Sequence, residues 1–431
     1  MSFVSKSPSL ASLLGCVYLL TFASLCAAES APGPSLSLAE ALRRADAGSP
    51  ALLAPTSATR SAEALITQAG VRPNPTLDLS LENFAGSGAF RGFDGIETTV
   101  QVSQVLERGG KREKRVGVAR SELEVAEQAF AVRRAEVRAT AAAAYIAVLA
   151  ANSRTEKAER SLELARETAD AIAAQVQGAA ASSVESARAR AALSTTRADH
   201  TRSASARVQA YASLAATWGG TPGDTPTLPG LPQVPATLPN REVLFAQLSA
   251  HPLHGLQQAT IGARRSAVQL ARSSSAQDVT VAGGLRSLRD SGDAALVVGV
   301  SVPLPFRNQN EGAIRAARET LAGTEQSARA LDAELRAAFT SAWQDLQLAH
   351  TVTRDLRADA LPATEEALAI VRRAHTQGEA SLLDVLEARR ALNSLNREIL
   401  DAEAAFATAL VRLDALTDPT FPLTTAFLSS Q

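Results

Sequence analysis

Cysteine is nearly absent from this 431-residue chain, and both copies, Cys16 and Cys26, fall close to the N-terminus. Nothing downstream can form a disulfide, a thiolate metal site or a cysteine nucleophile. Aromatic residues make up only 4%, thin for an ordinary compact core but adequate for long alanine-rich helices packed side by side. Charge of one sign is also missing. The formal net charge is −1, which excludes the electrostatic footprint of a nucleic-acid binder. Beyond the first residues no apolar run reaches the roughly 18 residues that a transmembrane helix needs; the nearest, 141–151, is far too short. The five histidines are scattered. Only His251 and His254 lie close together, beside Pro252 and away from any acidic cluster, so a structural role is expected and no metal site. Catalytic signatures fail as well. Gly109-Gly110-Lys111-Arg112 follows a strand and opens a helix, but Val105 stands where a phosphate-binding loop needs its first glycine and Arg112 where it needs Ser or Thr. No Gly-x-Ser-x-Gly elbow presents a nucleophile. Neither an enzyme nor a cofactor is expected.

What the chain does have begins with an export signal. Lys6 supplies positive charge, 10–25 is apolar, and Leu25-Cys26-Ala27-Ala28 ends in small residues suited to cleavage, giving a signal peptide over 1–28. A lipoprotein signal at Leu13-Leu14-Gly15-Cys16 is the alternative, ranked second because the apolar stretch before Cys16 is short.

The remainder says the same thing twice, about 200 residues apart. The segment opened by Gln177-Gly178 matches the segment opened by Gln377-Gly378. Val116, Leu123, Phe130, Val137 and Ala144 form a seven-residue ladder; Ile314, Leu321, Ala328, Leu335 and Ala342 form another. The expected organisation is a first repeat over 29–219, a proline-rich linker over 220–239, a second repeat over 240–418 and a tail over 419–431. The first repeat holds strands at about 76–84 and 96–106 and a helical hairpin at about 110–218; the second holds strands at about 278–288 and 294–304 and a hairpin at about 310–417. The linker composition reads as a semi-rigid extended spacer without a packed core. The fold class is mainly α with a small β part.

The strands alternate, the first of them strictly. Leu77, Leu79 and Leu81 oppose Asp78, Ser80 and Glu82; Val100 and Val102 oppose Glu97, Thr99, Gln101 and Ser103. Leu296, Val298, Val300 and Val302 repeat the pattern. A half-buried sheet on a soluble core would look like this, but little else in the chain supplies such a core. Strands of this length, apolar on one face and polar on the other, fit a transmembrane barrel with a wet lumen, lined by Asp78, Glu82, Glu97 and Gln101. Four strands cannot close alone, and an eight-stranded barrel is filled by its own side chains. Three copies would supply twelve.

After each strand pair the period becomes seven. About 65 residues of helix would reach near 100 Å, and each long helix turns back at a glycine, Gly178 or Gly378, where a positive φ is cheap. The basic run Lys111, Arg112, Lys114 and Arg115 opposes its helix dipole. Ion pairs with Glu107 and Glu113 are its expected use; contact with lipid headgroups or another subunit is the alternative.

Four patches carry a resemblance: Arg72-Pro73-Asn74-Pro75; Gln104-Val105-Leu106-Glu107-Arg108-Gly109-Gly110-Lys111-Arg112; Pro303-Leu304-Pro305-Phe306-Arg307-Asn308-Gln309-Asn310-Glu311-Gly312; and Gly378-Glu379-Ala380-Ser381-Leu382-Leu383-Asp384-Val385-Leu386-Glu387-Ala388-Arg389. In this order the chain resembles the TolC-like outer-membrane efflux proteins, and within them the outer-membrane components of cobalt–zinc–cadmium type metal efflux systems. At the second tip His375 replaces an aromatic residue common in that family. The resemblance implies a homotrimer in the Gram-negative outer membrane, a 12-stranded barrel continuing into a periplasmic α-helical barrel. It also implies a periplasmic adaptor and a proton-driven inner-membrane pump of the resistance-nodulation-division type as partners. The protein itself would be a passive exit duct for heavy-metal cations. Gly178, Gly378, Ser381 and Leu382 would form the adaptor-docking tip, and Asp384, Glu387, Arg390, Glu185 and Arg190 are gate candidates. A channel for multidrug efflux or type I protein secretion shares the fold; a periplasmic coiled-coil adaptor is the alternative of another class, disfavoured by two hairpins where one is expected.

Overall fold

The computed structural model describes residues 36–429 except Ala180, Thr225 and Thr227. The expected signal peptide, with Cys16 and Cys26, lies outside the described residues. The first repeat runs α1 (Leu38–Gly48), α2 (Leu53–Ala69), β1 (Thr76–Glu82), β2 (Glu97–Leu106), α3 (Lys111–Gln177) and α4 (Ser183–Ala216). The second runs α5 (Arg241–Gln247), α6 (Pro252–Ser273), β3 (Val279–Leu288), β4 (Ala294–Ser301), α7 (Glu311–Asp355), α8 (Leu361–Thr376) and α9 (Leu382–Thr417), followed by α10 (Pro422–Leu428).

Local chemistry explains the boundaries. The Ser37 hydroxyl accepts from the Glu40 N–H at 3.2 Å and starts α1. Ring Nδ1 of His251 accepts from the Leu253 N–H at 3.2 Å and caps α6, a structural use for this member of the histidine pair. Strand β1 stops two residues before the expected 84 because Asn83 turns to φ +59°. Strand β4 stops three residues before the expected 304, since Pro303 and Pro305 bring no N–H to a ladder.

Helix α3 is continuous for 67 residues, about 100 Å at 1.5 Å per residue. Its counterpart is not, which corrects the expectation of a second unbroken helix. A single π turn, Leu356–Ala360, separates α7 from α8. The cause is Pro362, which has no N–H for the Ala358 carbonyl four residues back and whose ring crowds that carbonyl. Widening the turn relieves both.

The core lies at the waist, where the ladder residues Val137, Leu335 and Ala342 are buried with Tyr145, Phe339, Leu346 and Phe406. Truncating Phe339 or Phe406 to alanine would cost about 3–5 kcal/mol. The Tyr145 hydroxyl donates to the Leu36 carbonyl at 2.8 Å, and burial pushes its pKa up to about 12. The linker is a second correction. It is not a free spacer: Leu228 is buried, its N–H donates to the Tyr211 hydroxyl at 2.9 Å, and the Leu231 N–H donates to Ser153 Oγ at 2.8 Å. Side-chain acceptors on α3 and α4 thus satisfy backbone that has no ladder of its own. The C-terminal segment also joins the core, with the buried Asp414 carboxylate accepting from the Leu423 and Thr424 N–H groups and the Thr424 hydroxyl.

Candidate functional site

The four strands form one antiparallel sheet in the order β1-β2-β3-β4. Register places Leu79 beside Val100, Val100 beside Leu285, and Leu285 beside Leu296 on one face. Among the described residues nothing covers that face: Leu77 is 72% exposed and Val298 72%. In water such a patch would be costly, at roughly 25 cal/mol per Å². Facing hydrocarbon it costs nothing.

The opposite face holds all four residues expected to line a lumen. Asp78 pairs with Gln101 and Glu82 with Glu97. Like charges directly across a pair of strands repel, and Glu82 and Glu97 are held together by a residue from the other repeat. Arg286 Nη1 lies 3.1 Å from Glu97 Oε2 and Nη2 lies 3.8 Å from Glu82 Oε2. Its Nε also donates to Thr99 Oγ1 at 3.0 Å. Asn83 Nδ2 donates to Glu97 Oε1 at 2.8 Å, while Ser103 Oγ donates to Asp78 Oδ2 at 3.0 Å. Three carboxylates therefore stand against one guanidinium per chain. The residue order puts Arg286 on the polar face of β3. Its bridging role required the cross-repeat register.

Where sheet meets helix, two of the four residues of the basic run are tied down, one to an expected partner and one to another. Arg115 makes a two-pronged ion pair with Glu107, and Lys111 Nζ sits 2.8 Å from Asp278. Glu113 is not used. Hydrogen bonds from Arg115 hold the Glu107 carboxyl below its usual range despite some burial.

At the far ends of the hairpins the tips are equivalent at a spacing one residue shorter than the sequence match implies. Ser182 caps α4 and Ser381 caps α9, each in a reciprocal box, with Glu185 and Asp384 as third residues. The Ser182 N–H donates to Glu185 at 2.7 Å and the Ser381 N–H to Asp384 at 2.8 Å. The Ser381 hydroxyl and N–H hold the Asp384 carboxyl below its usual range, and the Ser182 N–H and hydroxyl do the same for Glu185. The glycine expectation holds for one tip only. Gly378 takes φ +79°, but Gly178 sits at −82° and Ala179 carries the left-handed turn at +56°.

Leu382 requires a further correction. It is 2% exposed, in a small apolar cluster with Ile172, Ala189 and Leu386. It locks the two hairpins together and presents no docking surface. The residue matching Arg190 at this spacing is Arg389, whose guanidinium donates to the Leu164 carbonyl at 3.1 Å and to Thr168 on α3. Glu387, Arg390 and Arg190 are exposed and form no ion pair within the chain among the described residues. Further up, Arg154–Asp401 at 2.8 Å and Arg397–Asp199 at 3.5 Å tie α9 to the first hairpin.

A sheet with a bare apolar face and a charged reverse, feeding helices of this length, defines a channel of the long-helix outer-membrane class. The chain belongs to the outer membrane efflux protein family, whose family model matches residues 41–220 and 250–418. Among relatives, the cobalt-zinc-cadmium resistance protein CzcC of Cupriavidus metallidurans is 27% identical over 84% of this chain and 85% of its own. The nickel and cobalt resistance protein CnrC of the same organism is 30% identical over 76% of each chain. The fold matches the outer membrane protein VceC of Vibrio cholerae with a TM-score of 0.71 at 20% identity, covering 88% of this chain and 96% of that one. It matches CusC with a TM-score of 0.71 at 18% identity, covering 89% and 92%. The protein is an efflux component of the Gram-negative outer membrane, mainly α with a small β part.

Proposed function

We propose that the protein is the exit duct of a tripartite heavy-metal efflux system, a homotrimer passing divalent cations from a periplasmic adaptor and an inner-membrane proton-driven pump to the outside. The observation that carries this reading is the charged sheet face: Asp78, Glu82 and Glu97 against Arg286, on strands whose reverse is apolar and uncovered. A lumen of net negative charge concentrates cations and depletes anions. The resistance proteins CzcC and CnrC support metals as the cargo. Strands β1 and β4 each have one unpaired edge in the sheet, and open edges cannot persist in lipid, so closure requires further copies. Three four-stranded sheets make a twelve-stranded barrel wide enough to conduct. The duct is passive, with energy supplied by the pump.

The tips, around Gly178, Gly378 and Ser381, form the adaptor-docking end. The exposed charges Glu387, Arg390 and Arg190 are the gate candidates, because they alone of the set are free to pair across subunits. Glu185 and Asp384 add charge there while serving as caps. Deleting the gene should lower tolerance to zinc, cadmium, cobalt or nickel, restored by the intact gene. Unchanged metal tolerance with new sensitivity to dyes and detergents would refute metal export and assign the duct to drug efflux.

A further inference from the structure

The cleft between the two hairpins carries charge of the opposite sign to the strand face. It consists of two adjoining cavities that share Ser161 on α3, Thr196 on α4 and Asn393 on α9. The larger, about 300 Å³, is lined by Arg154, Lys157, Arg202 and Arg397 against a single carboxylate, Asp199. The smaller, about 110 Å³, is lined by Arg372, Arg389 and Arg390, with no acid among the described residues around it.

Like charges gathered in a cleft repel one another unless an opposite charge answers them. Asp199 answers two of these cations, pairing with Arg202 and, at 3.5 Å, with Arg397; Arg154 pairs with Asp401 at 2.8 Å. Others have no such partner. Lys157 on α3, Arg372 on α8 and Arg389 on α9 form no ion pair within the chain among the described residues. Lys157 Nζ donates to the neutral Asn396 Oδ1 at 3.3 Å. The partly buried Arg389 spends its Nη1 on two neutral acceptors, the Leu164 carbonyl and the Thr168 hydroxyl. Burial and the neighbouring Arg372 charge hold the Arg389 guanidinium below its usual pKa, with Glu167 pulling the other way. A solvated helix face spreads its charges into water, whereas here cations from three helices converge on one enclosed space.

We infer that this cleft is a binding site for a multivalent oxyanion, a phosphate or carboxylate compound, held by Lys157, Arg372 and Arg389 and bridging the first hairpin to the second. Guanidinium groups take such oxygens in pairs, and an ammonium adds a point charge. Lys157 meets α9 at Asn396, seven residues or about 10 Å along the helix from Arg389. The ligand therefore carries negative groups on more than one centre, and a single chloride cannot serve both ends. A metal cation is repelled, so the ligand is distinct from the cargo proposed above. Bound there, the anion neutralises cations that otherwise push the hairpins apart.

Isothermal titration calorimetry of the full-length protein in detergent, in metal-free buffer at constant ionic strength, tests this with inorganic tripolyphosphate and with citrate. Wild type should bind at least one of them saturably with a Kd below about 1 mM, and should unfold at a higher temperature in its presence. Lys157→Gln and Arg372→Gln, both at exposed positions, should each weaken binding at least about fivefold. Arg166→Gln, on α3 but lining neither cavity, should leave it unchanged. Binding of tripolyphosphate alone assigns the cleft to phosphates, and binding of citrate alone to carboxylates. No saturable binding of either probe up to about 10 mM overturns the inference. Unchanged affinity in both cleft variants does so too, by placing the anion elsewhere. Equal weakening in Arg166→Gln also refutes it, because that marks diffuse attraction to a basic surface.

Discussion

Arg286 is the single positive charge on the polar face of the four strands, and if that face lines the conduction path, replacing it with glutamine should change ion selectivity more than stability. At the level of Glu82 and Glu97 the change takes each protomer from a net charge of −1 to −2. One charge about 10 Å away contributes about 0.4 kcal/mol in water, cut to roughly a third by screening at 0.1 M salt. Three copies together supply about 0.4–0.5 kcal/mol. That is about twofold more cation and twofold less anion at the ring, or roughly fourfold in the cation-to-anion permeability ratio. The ion pair is partly exposed, at 35% and 21% for its two side chains, so its loss should cost no more than about 1 kcal/mol per protomer. The assay is reversal potential across a planar bilayer under a KCl gradient. Arg286→Lys, which keeps the charge, should stay near wild type. An assembled Arg286→Gln channel with an unmoved reversal potential would show that this ring does not face the conduction path.

The tips should respond to glycine substitution unequally. Gly378→Ala forces alanine to φ +79° and should cost about 1–2 kcal/mol in thermal unfolding; Gly178→Ala should be neutral or slightly stabilising, and equal effects would contradict the one-residue difference between tips. Asp414 should make stability depend on pH, because burial pushes its carboxyl up to about 6 from an ordinary 3.8, against the pull of the Thr424 and Leu423 donors. A folded-state pKa above the unfolded value binds the proton more tightly in the folded protein, so this contribution is full below about pH 4 and lost as pH rises through about 6. Measured as wild type minus Asp414→Asn, the stability difference should therefore shrink by about 1–3 kcal/mol between pH 4 and 7, and a flat difference would refute the assignment.

Much of this was legible because the deciding signals are local and periodic. Alternation fixed both sheet faces, so Asp78, Glu82, Glu97 and Gln101 could be assigned to one side from the residue order alone. The seven-residue ladders identified the inward stripe of α3 and α7, which is buried at Val137, Leu335 and Ala342 and half-buried at the other rungs. What escaped depends on contacts between distant segments. Arg286 lies on β3, and only the β2–β3 register brings it to Glu97. Leu382 looked like a tip residue because it follows a cap, yet the stripe that buries it comes from α3 and α4. The linker's prolines suggested a spacer, but the acceptors that hold it, Tyr211 and Ser153, lie on other elements. The π turn is different. Pro362 stood in plain view, and its consequence for the Ala358 carbonyl is local; regular spacing before it concealed the break.

That break matters for how alike the two repeats can be. In α3 nothing interrupts the seam along the long helix. In the second repeat the π turn inserts one residue, which rotates everything beyond it by about 100° relative to an unbroken helix. Arg357 lies within that turn and pairs with Glu403 on α9, a carboxylate only 3% exposed. A buried carboxylate without its partner costs several kcal/mol, whereas the pair together roughly breaks even against apolar side chains. The pair is therefore a weak source of stability and a strong constraint on register: α8 and α9 can meet with Glu403 satisfied only if the turn is widened at this place. One turn earlier the buried Thr353 hydroxyl has no hydrogen-bond partner, a cost that an unstrained helix would avoid by bonding back to its own carbonyls. Proline, ion pair and orphaned hydroxyl thus fall within three turns of one helix, and nothing comparable interrupts α3. The duplication reproduces the strands and the ladder, but the second hairpin reaches its tip by a different backbone path. The one-residue difference at Gly178 and Gly378 lies on the same hairpins, so a rigid copy of one repeat cannot replace the other.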